Sequence, residues 1–501
     1  MPGADTSAFR RSVRAPLWAA LLLSFLGYGL LALWFPLLPN AGRVPPGDVR
    51  AFAPTLAAGL IYAAVVLALF LLFVAACRRV ADGDLTSGKD ERRALAALLL
   101  VAALLAAPLL FAYPINATDV YRYVIRGRVA SAYGESPYLA PPARFVGDPF
   151  LPLAGEWVGE TSPYGPLWET TAAALTAVSG DNLFLGVLLF KLLALGCFLG
   201  VGALLWRLLD SRPQRAAYTA LWLWNPALLL TFAANGHNDA LMILWLLLGV
   251  FVARRGRPAV GLLIMVLAAL VKPIAALVLP VFFLALLRQQ EGRDRLRFAA
   301  VTAAGGAVLV WLSFLPWAQP GRYWQTPLEL VQRLAREATG APGFSPAVWL
   351  YFALGQRVPI ETIGTALRII FLAFAVWLLW RTWRGRPARR GVADLFLGYI
   401  AQALAFRIWY AAWPFPWLLL DAGDNELPQT APSDAATRRA AYRLRAGLWF
   451  LLTTQLSVVL YGHVRSFVLG GDQVVAHLLT VPFVFLLPWL LARWRLVAGI
   501  A

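Results

Sequence analysis

An all-α polytopic membrane protein is the fold class that this sequence predicts, and three observations predict it. Of 501 residues, 60% are hydrophobic and only 14% are charged. The apolar residues gather in repeated runs, and about 20 such residues suffice to cross a ~30 Å hydrocarbon core as a helix. The 44 lysines and arginines outnumber 26 acidic residues, for a net charge of +18, yet they lie in short clusters between the runs. That spread fits basic loops held on the cytoplasmic face. It does not make the single basic patch that nucleic acid requires, so no nucleic-acid partner is expected.

The elements follow in order. Arg10, Arg11 and Arg14 precede an apolar stretch from Pro16 to Leu38. This is too long for a signal-peptide core and reads as an uncleaved first span. Further spans are expected near 53–76, 94–112, 183–206, 216–233, 239–253, 258–271, 273–287, 298–317, 361–380, 392–406, 409–420, 446–463 and 473–492. The total is roughly 12–14 transmembrane helices. With the N-terminus inside, the cytoplasmic loops carry Arg78, Arg79, Lys89, Arg92 and Arg93, then Arg254, Arg255 and Arg257, then Arg293, Arg295 and Arg297, then the run from Arg381 to Arg390. The bias sets an orientation with both termini cytoplasmic. Segments 166–180 and 347–357 are apolar but short, and either one as a crossing would turn the next arginine-rich loop outward. Both read as re-entrant or interfacial helices. Thr326-Pro327 starts an amphipathic surface helix over 326–338, with Leu328, Val331 and Leu334 at helical spacing.

This divides the chain into an N-terminal hairpin and cytoplasmic loop (1–93), a core (94–420) with a large outer loop (113–166), a cytoplasmic linker (421–445) and a C-terminal hairpin (446–501). Cys77 and Cys197 lie far apart in apolar surroundings and indicate neither a disulfide nor a metal site.

Four polar signatures interrupt the apolar runs: Asn116-Ala-Thr-Asp119, Asn235-Gly-His-Asn-Asp239, Lys272-Pro273 and Arg407-Ile-Trp-Tyr410. The span count puts all four on the non-cytoplasmic side. Several central spans have only about 14–18 residues, short of the ~30 Å core at ~1.5 Å per residue, so these breaks sit below the membrane surface. Broken backbone at that depth needs protein or water around it. A cation there costs about 2.5–3.5 kcal/mol, which an anionic partner would offset. Lys272 and Arg407 are therefore candidate phosphate ligands; the alternatives are snorkelling to the interface or pairing with Asp239. His237, Asn238 and Asp239 form either a hydrogen-bonding turn toward a ligand or a cap on the helix that follows. One histidine beside one aspartate is a poor zinc site.

The outer loop opens with Asp119-Val-Tyr-Arg-Tyr123, at the start of a helix. Asp119 has the chemistry to deprotonate a hydroxyl, hold a divalent cation such as Mg or Mn, or cap that helix. Arg122 and Arg126, one turn apart, present cations. Tyr123, Tyr164, Trp409, Tyr410 and Trp413 offer faces for a sugar, or form an interfacial aromatic belt. Asp148, Glu156 and Glu160 are further acids in the loop.

Asp119-Val-Tyr-Arg-Tyr123, Gly127, Ser136-Pro-Tyr138, Tyr164-Gly-Pro-Leu167, Gly236-His-Asn-Asp-Ala-Leu241, Lys272-Pro273 and Trp409-Tyr-Ala-Ala-Trp413 occur in one order over residues 94–420. Together they resemble bacterial GT-C glycosyltransferases of the family-87 and polyprenyl-phosphomannose-dependent type. The resemblance implies a GT-C-like fold in the bacterial inner membrane. It also implies transfer of a sugar, with mannose expected, from a polyprenyl-phosphate donor to a glycan or glycolipid acceptor on the outer face, with inversion. The catalytic base of that group carries over to Asp119. Many members have paired acids here, whereas Thr118 precedes Asp119, so a metal requirement does not follow. No phosphate-binding glycine loop, nucleophile elbow or nucleotide-binding domain is present, consistent with a lipid-linked donor. A lipid-linked-sugar flippase or a surface-polysaccharide ligase is the competing class. A transporter is expected to show internal repeats and polar groups on both sides of the midplane, and neither is evident.

Overall fold

Long apolar runs become long helices, and capping residues set where they begin. A computed structural model describes residues 17–44, 48–83, 90–209, 214–339, 343–423 and 434–494. The arginines at 10, 11 and 14 and Lys89 lie outside them. The helices are α1 (Leu17–Trp34), α2 (Leu56–Ala81), α3 (Glu91–Leu110), α4 (Asp119–Ser131), α5 (Pro166–Ser179), α6 (Leu183–Leu208), α7 (Arg215–Leu223), α8 (Pro226–Leu229), α9 (Asp239–Arg254), α10 (Pro258–Val271), α11 (Leu279–Arg288), α12 (Gly292–Phe314), α13 (Gln325–Thr339), α14 (Pro346–Ala353), α15 (Ile360–Trp383), α16 (Ala388–Gln402), α17 (Phe415–Gly423), α18 (Asp434–Val459), α19 (Arg465–Phe467), α20 (Gln473–Phe485) and α21 (Leu487–Leu491). Thr55, Asp90 and Asn182 cap α2, α3 and α6 by accepting the amides of Ala58, Arg93 and Leu185, the use for which short polar side chains suit helix starts. Proline opens α5, α10 and α14, where its missing N–H costs nothing.

Among the described residues there is no strand, and eight helices are long and apolar enough to cross a bilayer. They are the helices at 17–34, 56–81, 91–110, 183–208, 292–317, 360–383, 435–467 and 473–491. Leu22, Leu26, Leu30 and Leu33 of α1, and Ile369, Ile370, Leu372 and Val376 of α15, are exposed. A helix that shows large apolar groups outward while packing others inward belongs in lipid. The remaining apolar segments are shorter and broken: α8 and its π-turn through Ala234 meet α9 at a bend of 112°.

Of the segment 421–445, residues to Gly423 belong to α17 and those from Asp434 to α18; the residues between lie outside the described segments. One expectation is adjusted. The amphipathic helix forms as α13, but Leu328 and Val331 are exposed while Leu330 and Arg333 are buried. The buried stripe is set by what α13 rests on: Arg333 pairs with Glu160 at 3.3 Å in the outer loop, and Leu330 packs with Tyr138, Phe314 and Trp317.

The core hairpin α9–α10 carries the site at one end and arginines at the other. Its helices cross where glycine meets glycine. A Cβ on Gly249 would stand 2.5 Å from the Gly261 carbonyl oxygen, and one on Gly261 equally close to the Gly249 oxygen. Such small-residue crossings give membrane helices their backbone-to-backbone packing. Gly249→Leu is expected to separate the pair and lower stability by about 1–3 kcal/mol, the usual cost of overpacking. Thermal unfolding in detergent, with the exposed Gly196→Leu as control, measures it.

Candidate active site

The four polar signatures meet, and backbone contacts bring them together. The end of α3 is held by Lys191 of α6, which is fully buried. Its ammonium donates to the carbonyls of Leu109 and Leu110 at 3.2 Å each, and to that of Ala112. This places a cation on the carbonyls that a helix C-terminus leaves unsatisfied. Three residues on, the Ile115 amide donates to the Asn235 side chain at 3.0 Å, and Asn116 donates to the Tyr62 hydroxyl at 3.0 Å. The first signature is thereby pinned to the second. The far end of the outer loop is fixed at Gly165, whose amide donates to Val271 O at 3.0 Å. A Cβ there would come within 2.1 Å of the Leu270 oxygen, so only glycine allows the approach. It sets the end of the outer loop against the end of α10.

Asp119 begins α4 and is buried. Its Oδ1 accepts from Arg122 at 3.1 Å and from the Tyr164 hydroxyl at 3.2 Å. No first-turn amide of α4 is bonded to the Asp119 or Thr118 side chain, so the capping alternative does not describe it. Burial pushes the Asp119 carboxyl up, but Arg122, Lys272 and Arg407 outweigh it and hold the group below its ordinary value. Burial and the neighbouring Asp119 charge push the Tyr164 phenol well up, so it stays a donor.

Asp239 is fully buried and accepts from Lys272 Nζ at 2.8 Å and from the Trp413 indole N–H. Of the alternatives open for Lys272, pairing with Asp239 is what the structure contains. Its ammonium also lies 5.5 and 5.9 Å from the Trp413 and Tyr410 ring centres, and those two rings stack at 4.0 Å. His237 stacks on Trp409 at 4.2 Å. Both His237 ring nitrogens, both Asn238 amide atoms and Asp239 Oδ2 are buried with no hydrogen-bond partner among the described residues. Asn238 makes no side-chain cap to α9. Buried polar atoms in that condition are rare and mark either strain or a ligand site. Arg407 is exposed beside them, close enough for its charge to act on Asp119.

Other expected site residues serve the loop. Arg126 is buried and donates to the Glu160 and Thr161 carbonyls at 3.4 and 3.3 Å. Tyr123 packs edge-on against Tyr164 and Trp168. Asp148 is paired with Arg128 at 2.8 Å, Glu156 with Arg122 at 3.5 Å and Glu160 with Arg333. Among the described residues, no three His, Cys, Asp or Glu side chains converge as a metal site.

Sequence reasoning passed over Glu169, in the first turn of α5. It is buried and accepts from the Ser162 hydroxyl, which in turn accepts the Tyr164 amide at 3.1 Å. The signal was a lone acid after Trp168 in an apolar run. Burial raises its pKa to about 7, against the smaller pull of Ser162 and Arg126. Because the folded protein holds this proton more tightly than the unfolded chain, the group favours folding below about pH 4.5. That contribution is lost as pH rises to about 7. Glu169→Gln is expected to flatten the fall in thermal midpoint between pH 5 and 8, measured in detergent against wild type.

Comparison with known proteins bears on this arrangement. A family model described as "Alpha-(1->6)-mannopyranosyltransferase, N-terminal domain" matches residues 19–288, which takes in three of the four signatures. Alpha-(1->6)-mannopyranosyltransferase A of Mycobacterium tuberculosis is 28% identical over 419 residues, covering 75% of this chain and 77% of that protein. The enzyme of the same name from Corynebacterium glutamicum is 31% identical over 236 residues, 43% of this chain and 47% of its own length. No solved structure matches. With its helical membrane fold and its convergent polar breaks, the chain belongs to the alpha-(1->6)-mannopyranosyltransferase family and is a glycosyltransferase of the GT-C type.

Proposed function

We propose that this protein transfers mannose, with inversion, from a polyprenyl-phosphate donor to a hydroxyl of a glycan or glycolipid on the outer face of the bacterial inner membrane, with Asp119 as base. The observation that carries the reading is the placement of Asp119. It is a buried carboxylate whose two hydrogen bonds both fall on Oδ1, inside the field of Arg122, Lys272 and Arg407. Oδ2 is the atom for the acceptor proton.

The step is a single displacement. The acceptor oxygen bonds to the anomeric carbon as its proton passes to Asp119, and the bond from that carbon to the phosphate oxygen breaks. The electron pair leaves with the polyprenyl phosphate, and attack opposite the leaving group inverts the centre. Charge gathers on the phosphate as the bond opens, and cations already in place stabilise it without reorganising. Arg407 is the exposed cation of the cluster, and Lys272 adds its charge from within the Asp239 pair. The donor groups of His237 and Asn238 suit phosphate or sugar oxygens. Trp409 and Tyr410 present ring faces to the sugar or the prenyl chain. The relatives' names support mannose and an alpha-(1->6) linkage; the family's lipid-linked donor accords with cations recessed among apolar helices.

Purified protein in lipid with radiolabelled polyprenyl-phosphomannose tests this. Asp119→Asn keeps the shape and removes the base, so transfer is expected to fall by about 10²–10⁴ while donor binding is retained. Near-normal turnover would assign the base elsewhere. Because Asp119 is held below its ordinary pKa, wild-type kcat/KM is expected to stay flat from neutral pH to about pH 5. An acid limb near pH 6 to 7 would point to a different group.

A further inference from the structure

At the other end of α9 from Asp239, Arg254 helps to line a cavity of about 400 Å³. Its polar lining includes Arg254, Arg288, Arg386 and Arg389, from the ends of α9 and α11, the α15–α16 turn and the start of α16. Among the described residues, no aspartate or glutamate lines it. The acids that meet Arg386 and Arg389, Asp394 and Asp421, do not line the cavity. Arg254 donates to the Leu208 carbonyl at 3.1 Å, while Arg288, at the end of α11, lines the space beside the Nε of Arg386.

A second, independent feature points the same way. Trp417, 1% exposed, lines the cavity, and its indole N–H has no partner among the described residues. Arg386 Nε is likewise buried and unbonded. A buried donor without an acceptor costs about 1–3 kcal/mol, and here the uncommitted buried donors belong to a wall that carries only positive charge. The rest of that wall is apolar, with Phe282 and Leu286 prominent. The arginine clusters at this end place it on the cytoplasmic face.

We propose that this cavity binds the phosphate of an anionic ligand, with a phospholipid headgroup of the cytoplasmic leaflet as the source that its apolar wall favours. Arg288 and the Nε of Arg386 take the phosphate oxygens, Trp417 donates to one of them, and Phe282 and Leu286 cover the glycerol and the first methylenes. Basic recesses between membrane helices on this face recognise such headgroups. The site is distinct from the cluster around Asp119, at the opposite end of a helix ~24 Å long, and does not depend on the transferase reading.

The test is native mass spectrometry of the full-length protein, stripped of lipid in detergent. It is titrated separately with phosphatidylglycerol, phosphatidylcholine and inorganic phosphate. Two variants act on the cavity in different ways: Arg288→Ala removes a charge, and Ala285→Trp fills the space with every arginine kept. Arg293→Ala, in the exposed first turn of α12, is the control for general surface charge. Phosphatidylglycerol is expected to bind more tightly than phosphatidylcholine, to weaken about fivefold in Arg288→Ala and to be lost in Ala285→Trp. Inorganic phosphate bound with the same variant dependence, and no preference between the lipids, would assign the site to a soluble phosphate. Binding of both anions untouched by Ala285→Trp, or reduced as much by Arg293→Ala as by Arg288→Ala, would overturn the proposal.

Discussion

Hydrocarbon forbids an unsatisfied backbone, and the organisation of this protein follows from where it breaks that rule. Helices cross the apolar layer because they close their own hydrogen bonds; a broken helix can persist there only inside protein. The chain breaks after α3, between α8 and α9, after α10 and after α16, and it brings those breaks together. Asn235 takes the Ile115 amide, Lys191 covers the last carbonyls of α3, and the Gly165 amide reaches the end of α10. Some of the polar side chains the breaks carry then satisfy one another, most clearly where Asp239 receives Lys272 and Trp413, while His237 and Asn238 are left without partners among the described residues. The arrangement that makes the breaks tolerable is the same one that concentrates charge.

That economy couples folding to chemistry. Lys272 stabilises Asp239, yet its charge also acts on Asp119. Removing one partner of a buried pair costs about 3–5 kcal/mol because the other is left uncompensated. A loss of activity in Lys272→Ala would therefore mix stability with the proposed donor role, whereas Asp119, whose partners Arg122 and Tyr164 stay bonded elsewhere in the loop, separates the two better. Arg122 illustrates the point: it also lies 3.5 Å from Glu156 and 4.3 Å from the Trp157 ring, so it keeps its place when Asp119 changes.

Much of this was legible in the sequence, and the reasons are physical. In an apolar chain every polar break is costly, so the breaks at Asp119, Asp239, Lys272 and Arg407 announce themselves, and arginine asymmetry puts them on one side. Partner choice was not legible. Nothing in the order of residues says that Lys272 would take Asp239, or that Arg126 would turn to the carbonyls of Glu160 and Thr161; those depend on how a long loop folds back. Glu169 stayed hidden because one acid in the apolar α5 looks like noise until Ser162 is seen beside it. The α13 stripe misled for a related reason: spacing names a face, but the outer loop and the end of α12 decide which face is covered.

The brevity of α9 has a consequence beyond packing. Its 16 residues span ~24 Å against a hydrocarbon thickness of ~30 Å, so a centre at its Asp239 end sits beneath the headgroups. Any group transfer competes with solvent for the activated carbon. In the proposed reaction, a centre sunk to this depth would meet few water molecules, and an acceptor hydroxyl delivered on a lipid or a glycan chain would arrive where its rival nucleophile is scarce. On that reading, a helix one turn too short favours transfer over hydrolysis.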